Sequence, residues 1–473
     1  MSFASVEFLP FLALVVALFA FVPKSARTLF LLLASYVFYL YSEPLHGLLI
    51  AGSTVVDYAV GRALGRTQDE RKRRVLLSIS LVLNIGVLAL FKYSSFFVES
   101  LNPLLSGAGL ETLDWPKLAL PLGISFYTFQ TLAYTIDVYR GTISPCRNFT
   151  SFALYVSFFP QLIAGPIERA GHLIPQLERS SALTVERLGR GGQLILWGLV
   201  KKLLFADHMA AHVRPVFGSP EAHGTLSLVL AAVAMNVVLY LDFSAYTDIA
   251  RGAARIFGVD LVQNFRRPFM SRSLGEFASR WHISLFRWIG DYVYAPLSGG
   301  KLRHWRLWRN NCLTMTLFGF WHGASWTFLL WGLSSGVAIS VQQSLRLRGV
   351  KRGVIRRPSS SRWSALDVAA CLGTTLLTSA FVVFFFSPDL DFALRWYVQL
   401  ASFAGDSNFT WIAWTSLVLL LGMAGQATAE FRDLEVVWAK FGWLGRALVV
   451  GACLLALLFL RVPHAEDFIY FRF

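Results

Sequence analysis

The stretch Asn311–Gln343, NCLTMTLFGFWHGASWTFLLWGLSSGVAISVQQ, decides how this chain is read: it is apolar enough to enter a bilayer and yet carries an imidazole, His322. About 20 apolar residues span a hydrocarbon core, and an ionisable side chain inside such a span is costly and usually functional. Gly319 and Gly323 form a small-xxx-small pair that lets another helix approach closely, while Trp321 and Trp326 supply bulky walls. The pattern puts His322 in a narrow protein interior rather than against lipid. On position alone two roles stay open for it, a chemical one and a single hydrogen bond between helices.

Working outward, the composition is that of a membrane protein. Of 473 residues, 55% are hydrophobic and 15% aromatic, which excludes an ordinary soluble globular domain. Lys and Arg number 43 against 28 Asp and Glu, a net charge of +15. In a soluble protein that excess would suggest nucleic acid. Here the cations fall between apolar segments, the positive-inside pattern, so the implied partner is the lipid bilayer. Cys146, Cys312, Cys371 and Cys453 are scattered without ligand spacing, so neither a disulfide framework nor a metal site is expected. The opening MSFASVEFLPFLALVVALFAFVP lacks a basic leader and an A-x-A cleavage site and reads as a retained first span.

Spans are expected at about 8–22, 28–42, 45–60, 75–97 and 118–138, then at about 191–206, 225–243, 365–386, 409–424 and 444–461. The basic loop Arg62–Arg74 is placed in the cytoplasm, which puts the N-terminus and the Lys- and Arg-free loop Glu99–Pro116 outside. Phe149–Pro175 is apolar but interrupted by Pro160, Gly165-Pro166 and Pro175, so a re-entrant hairpin enclosed by other helices is expected there. Lys201-Lys202 reads as a span end. Arg251–Arg309 mixes Arg with aromatics, as surface-lying or re-entrant helices do, and Arg346–Arg357 is a second cytoplasmic loop. The acidic connection Ser387–Thr410 is expected outside. The sum is an all-α polytopic membrane protein of about 10–12 spans with re-entrant pieces. It reads as one domain, residues 1–473, with no visible inverted repeat.

Four polar clusters sit in apolar surroundings. Gln130 with Asp137, Tyr139 and Arg140 suits an interhelical hydrogen bond and a helix-end ion pair. In YLDFSAYTDIARGAARIFG, Asp248 precedes Arg251 by three residues and can pair with it, whereas Asp242 has no local partner and is free to orient an imidazole or an arginine. In RWHISLFRWIGDYVYAPLSGG, His282 stands between Trp281 and Ile283, and Arg287 and Asp291 have i,i+4 spacing. A packing role for His282 is as consistent with that spacing as a chemical one. His322 is the fourth. The chain carries no P-loop, GxSxG, HExxH or CxxC pattern, so ATP hydrolysis, metal catalysis and a serine nucleophile lack a motif. A neutral imidazole taking a proton from a hydroxyl that attacks an activated acyl group would suffice.

The stretches FPQLIAGPIER, YLDFSAYTDIARGAARIFG with the following QNFRRPF, RWHISLFRWIGDYVYAPLSGG, FGFWHGASWTFLLWG and the terminal FIYFRF occur in the order found in bacterial membrane-bound O-acyltransferases (MBOAT). The chain resembles that family from Pro121 onward, the motif-bearing core being about 121–345, and most resembles the membrane subunit of alginate O-acetyltransferase. The resemblance implies a ring of tilted helices around a central passage, engaged by an acyl donor from the cytoplasm and by an acceptor from the other face. His322 matches the family's invariant histidine and His282 its second histidine. By the same resemblance His322 is the general base or relay and His282 positions donor or acceptor, with Trp281, Trp321, Asp291, Asp242 and Arg280 as substrate-binding candidates. The implied activity is O-acetylation of an exported or cell-envelope polysaccharide such as alginate at the inner membrane. Acetyl-CoA or another thioester serves as donor, no cofactor is held permanently, and a periplasmic SGNH-type acetyltransferase or polysaccharide synthesis proteins are the partners. Two alternatives remain: a D-alanyl transferase for teichoic acids, and a polysaccharide or proton transporter with His322 and Asp242 as relay residues.

Overall fold

The computed structural model describes residue 3 and residues 5–116, 118–163, 165–179, 182–299, 303–351, 363–406, 408–431, 438, 440–461, 468 and 469. Gly300 of the LSGG run, residues 352–357 of the basic loop Arg346–Arg357 and the last four residues of the FIYFRF motif lie outside them. Among the described residues every regular element is helical. Five helices among the described residues are long and apolar enough to cross a membrane: Gly47–Leu64, Glu70–Gly107, Thr225–Ile256, Ala365–Phe386 and Phe409–Thr428. Phe8–Phe19 and Trp443–Phe459 are apolar but shorter. The chain divides into two compact units, one of residues up to 198 with 246–262, the other of residues 199–245 with 263–469.

In the first unit, phenylalanines knit the helices together. Phe159 meets Phe11 at 5.4 Å, Phe38 at 5.6 Å and Phe257 at 6.0 Å between ring centroids. The proline-rich segment is broken as its sequence requires, into Phe149–Ser157, Phe159–Leu162 and Ala170–Arg179. Its freed backbone groups find protein partners. Gln161 Nε2 donates to the Tyr155 carbonyl at 2.7 Å, Phe159 N donates to Ser35 Oγ at 3.1 Å, and Tyr155 Oη donates to the carbonyls of Gln130 at 3.0 Å and Glu168 at 3.2 Å. A broken backbone in an apolar setting demands this enclosure. Gln130 thus contributes its main chain to the contact expected of its side chain. Asp248 and Arg251 pair at 3.5 Å as their spacing predicts.

Several boundaries differ from expectation. The helix from Glu70 passes through a π-helical turn, Ala89–Tyr93, and continues to Gly107, so half of the expected outer loop is helix. Asp389 caps a helix, Leu390–Ala401, inside the expected acidic loop, its Oδ1 accepting from Phe392 N at 2.7 Å. Lys201 and Lys202 do not end a helix. They lie buried in a π-helical turn, Val200–Ala206, whose wider circumference turns two consecutive residues inward.

The largest reinterpretation concerns the stretch around His322. It is a hairpin, not one span: helix His304–His322 ends at Gly323, and helix Trp326–Lys351 returns along it. The small residues seat the arms against each other. A Cβ at Gly332 would stand 2.9 Å from Met315 C and Thr316 Cα, and one at Gly336 would stand 2.8 Å from Asn311 O and Cys312 Cα. Asn311 Nδ2 ties the open end by donating to Ser340 Oγ and Gln343 Oε1, both at 3.1 Å. The partner that the glycine pair admits is therefore the following helix. We expect Gly332→Val to pry the arms apart and to cost about 1–3 kcal/mol; an unchanged melting temperature of the purified variant would contradict this packing.

Candidate active site

His322 is the last residue of its helix and is 2% exposed. Its ring is enclosed by Phe318 at 4.7 Å, Trp321 at 4.8 Å, Trp331 at 5.1 Å and Phe385 at 5.7 Å. The position follows from the hairpin. The helix stops where Gly323 adopts an extended backbone, and Ser325 Oγ accepts from Phe328 N at 3.3 Å to start the return arm. Of the two expected walls, Trp321 is buried against the imidazole, whereas Trp326 is 54% exposed and Trp331 takes its place.

His282 is fully buried, and its backbone is left-handed, φ 41° and ψ 50°. That conformation is uncommon for a residue with a Cβ, and here Asn264 holds it. The Asn264 carbonyl accepts from Ile283 N at 2.9 Å, and its Oδ1 accepts from Ser284 Oγ at 2.6 Å and Ser284 N at 3.3 Å. The imidazole meets Phe243 at 4.6 Å and Trp321 at 6.1 Å, so Trp321 touches both histidines. Neither ring nitrogen of His282 has a hydrogen-bond partner among the described residues. Burial pushes the His282 imidazole down to about 3, so it is neutral at neutral pH.

A cavity of about 70 Å³ lies in the same unit, lined among others by Trp281, Phe286, Phe318, Trp331, Phe381 and Asn236. Phe318 and Trp331 also touch His322, so that imidazole is one aromatic ring removed from the lining, and Trp281 of the lining immediately precedes His282 in the chain. The cavity is mainly apolar. Its amide, Asn236, donates to Thr378 Oγ1 and Ser379 Oγ, both at 3.1 Å.

The remaining candidates separate. Asp242 has a partner that no local spacing indicates: Lys202 Nζ lies 2.8 Å from its Oδ1 and 2.9 Å from Asp207 Oδ1, and Ile469 N donates to Asp242 Oδ2 at 2.9 Å. Both carboxylates and the ammonium are buried. The neighbouring Lys201 Nζ donates to Ser244 Oγ at 2.9 Å. Asp242 therefore anchors its helix one residue before Phe243, the ring that packs on His282. Trp281 stacks on Phe277 at 5.3 Å and borders the cavity. Arg280 pairs with Glu276 at 2.8 Å, and its carbonyl accepts from Arg266 N at 2.9 Å, which fixes the chain leading to His282. Asp291 is exposed on a π-helical turn, Gly290–Tyr294. Lys202, Asn264, Trp331 and Phe385 are the contributors that sequence reasoning passes over. Asn264, inside QNFRRPF, and Trp331, inside FGFWHGASWTFLLWG, lie in motifs singled out in advance.

The backbone at residue 282 supports an expectation. Asparagine tolerates the left-handed region and valine does not. His282→Asn should melt near the parent protein but transfer acyl groups more slowly, whereas His282→Val should lose about 1–3 kcal/mol of stability. Equal melting of the two variants would argue against a strained backbone there.

Comparison with known proteins matches this geometry to a family. Residues 145–386, which hold both histidines, match the model of the MBOAT, membrane-bound O-acyltransferase family. A probable alginate O-acetylase AlgI of Azotobacter vinelandii is 37% identical over 86% of this chain and 79% of its own length. A peptidoglycan O-acetyltransferase of Helicobacter pylori is 34% identical over 67% of this chain and 64% of its own. A teichoic acid D-alanyltransferase of Bacillus subtilis is 25% identical over 48% of this chain and 62% of its own. With its all-helical build, apolar spans and family match, the chain belongs to the membrane-bound O-acyltransferase family: it is a multi-pass membrane O-acyltransferase.

Proposed function

We propose that this enzyme carries acetyl groups from a cytoplasmic thioester, acetyl-CoA or a related donor, across the bacterial inner membrane for O-acetylation of an exported or cell-envelope polysaccharide. The observation that carries the reading is the pair of buried imidazoles that both contact Trp321, with His322 one ring from an apolar cavity. In the reaction His322 takes the proton of the accepting hydroxyl as its oxygen attacks the thioester carbonyl. A C–O bond forms, the C–S bond breaks, and the proton passes to the departing thiolate. His282, neutral and held by Asn264, has ring nitrogens available to orient the reacting groups. Trp281 and Trp321 exclude water, which would otherwise hydrolyse the thioester. A shift of Phe318 or Trp331 opens the way from cavity to His322. Exposed Trp305, with Arg306 at 5.6 Å and Arg309 at 5.0 Å from its ring, suits a lipid headgroup or a donor phosphate.

An acetyl acceptor is favoured over D-alanyl transfer, because the alginate and peptidoglycan acetylating relatives match more of the chain at higher identity than the teichoic acid enzyme does. A periplasmic SGNH-type acetyltransferase or polysaccharide synthesis proteins would complete delivery to the sugar. The test is deletion of the coding sequence, with mass spectrometry of the envelope and secreted polysaccharides. Loss of O-acetyl groups, restored by the intact chain, is expected. Unchanged acetylation, or loss of D-alanine esters instead, would overturn the reading.

A further inference from the structure

The cavity beside His322 is an elongated slot, and the chain positions of its lining show which way it runs. On the return arm of the hairpin it is bordered by Trp331, Ser335 and Ile339, each one helical turn after the last, so it extends about 12 Å along that arm at about 1.5 Å per residue. Trp331 marks the end that touches His322. Two other helices run the same way. Helix Leu274–Arg280 lines the slot from Leu274, whose N donates to Gln342 Oε1 at 2.9 Å just beyond Ile339, towards Trp281, the residue before His282. Helix Ala365–Phe386 lines it with Thr378 and Phe381, and Phe385, one turn further on, packs against His322. One end of the slot therefore abuts the rings that enclose His322, and the other lies about two helical turns away.

The lining calls for an apolar occupant. Its amide and hydroxyl side chains spend their donors within the chain: Asn236 on Thr378 and Ser379, Thr378 Oγ1 on the carbonyls of Thr374 and Thr375, both at 3.0 Å, and Ser335 Oγ on the Trp331 carbonyl at 2.8 Å. A volume of about 70 Å³ holds about five water-sized groups, whereas an acetyl group carries one methyl beyond its carbonyl. With the carbonyl carbon at His322, a longer chain that passes between Phe318 and Trp331 enters the slot end-on. Each methylene buried there strengthens binding about fourfold. Resting on the thioester reading above, we propose that the slot receives the acyl chain of the donor, so that the enzyme transfers propionyl, butyryl and hexanoyl groups as well as acetyl. The step balances as before: the acyl carbon exchanges its C–S bond for a C–O bond, and the hydroxyl proton passes through His322 to the thiolate.

The experiment gives membranes containing the full-length protein an equimolar mixture of acetyl-, propionyl-, butyryl-, hexanoyl- and decanoyl-CoA, and counts each ester on the polysaccharide by mass spectrometry. Propionyl, butyryl and hexanoyl esters are expected within about tenfold of acetyl, and decanoyl esters about a hundredfold below it, since that chain overruns the slot. Ala278→Leu fills the slot partway along helix Leu274–Arg280 and should lower the butyryl-to-acetyl ratio about tenfold. Ile339→Ala lengthens the far end and should raise the decanoyl share. Both readouts are ratios within one sample, which a partly folded variant does not distort. Acetyl esters alone from the parent, or a butyryl-to-acetyl ratio that Ala278→Leu leaves unchanged, would overturn the proposal while leaving acetyl transfer intact. Absence of every ester would bring down the thioester reading as well.

Discussion

His322→Ala should reduce acyl transfer by about 10²–10⁴-fold, the range that a positioned general base contributes, while the protein inserts and purifies normally. The imidazole is enclosed by four rings, so truncation leaves a cavity among Phe318, Trp321, Trp331 and Phe385 and also costs some stability. His322→Gln separates the two effects, since it fills much of the volume without serving as a base. Both variants should lose turnover alike, with only the alanine protein melting lower. The check is transfer of labelled acetyl groups from thioester to polysaccharide by membranes containing equal amounts of each variant. Near-parental transfer by His322→Gln would remove His322 from the proton path.

The second large effect concerns Lys202. Its ammonium stands between Asp207 and Asp242, all three buried, so Lys202→Met removes the cation that bridges two buried carboxylates. Removing one partner of a buried ion pair typically costs about 3–5 kcal/mol, against a far smaller loss when all the charges are replaced together. Lys202→Met should therefore melt well below the parent, and the triple variant Lys202→Met, Asp207→Asn, Asp242→Asn should recover most of the difference. Because Asp242 adjoins Phe243, which packs on His282, turnover should fall more than the folded fraction does. Parental melting by Lys202→Met would show that the ion cluster carries no structural weight.

How much of this was legible without coordinates depends on the range of the signal. His322 stands out because an ionisable group in an apolar tract is a local anomaly, and Gly319 and Gly323 announce close packing for a local reason as well. The partner of that packing is not local in the same sense. Nothing in Asn311–Gln343 distinguishes one span from two arms folded at Gly323, because apolarity runs unbroken through the turn. Lys202 is misread for a related reason: two lysines after an apolar run look like a span end, and only the extra residue of a π-helical turn carries them inward. Its pairing with Asp242 bridges forty positions of sequence, beyond any spacing rule. Asp57 of the helix Gly47–Leu64 hides in the same way, since its hydrogen-bond partners, Ser80 and Asn84, stand on the next helix.

The hairpin carries one more consequence. Its arms, His304–His322 and Trp326–Lys351, contact each other within a single run of chain joined by three residues. Contacts that close over so few residues form fast and need nothing synthesised later. The segment bearing His322 can thus be shaped while the ribosome is still translating, and the helices from Ala365 onward assemble against a preformed nucleus.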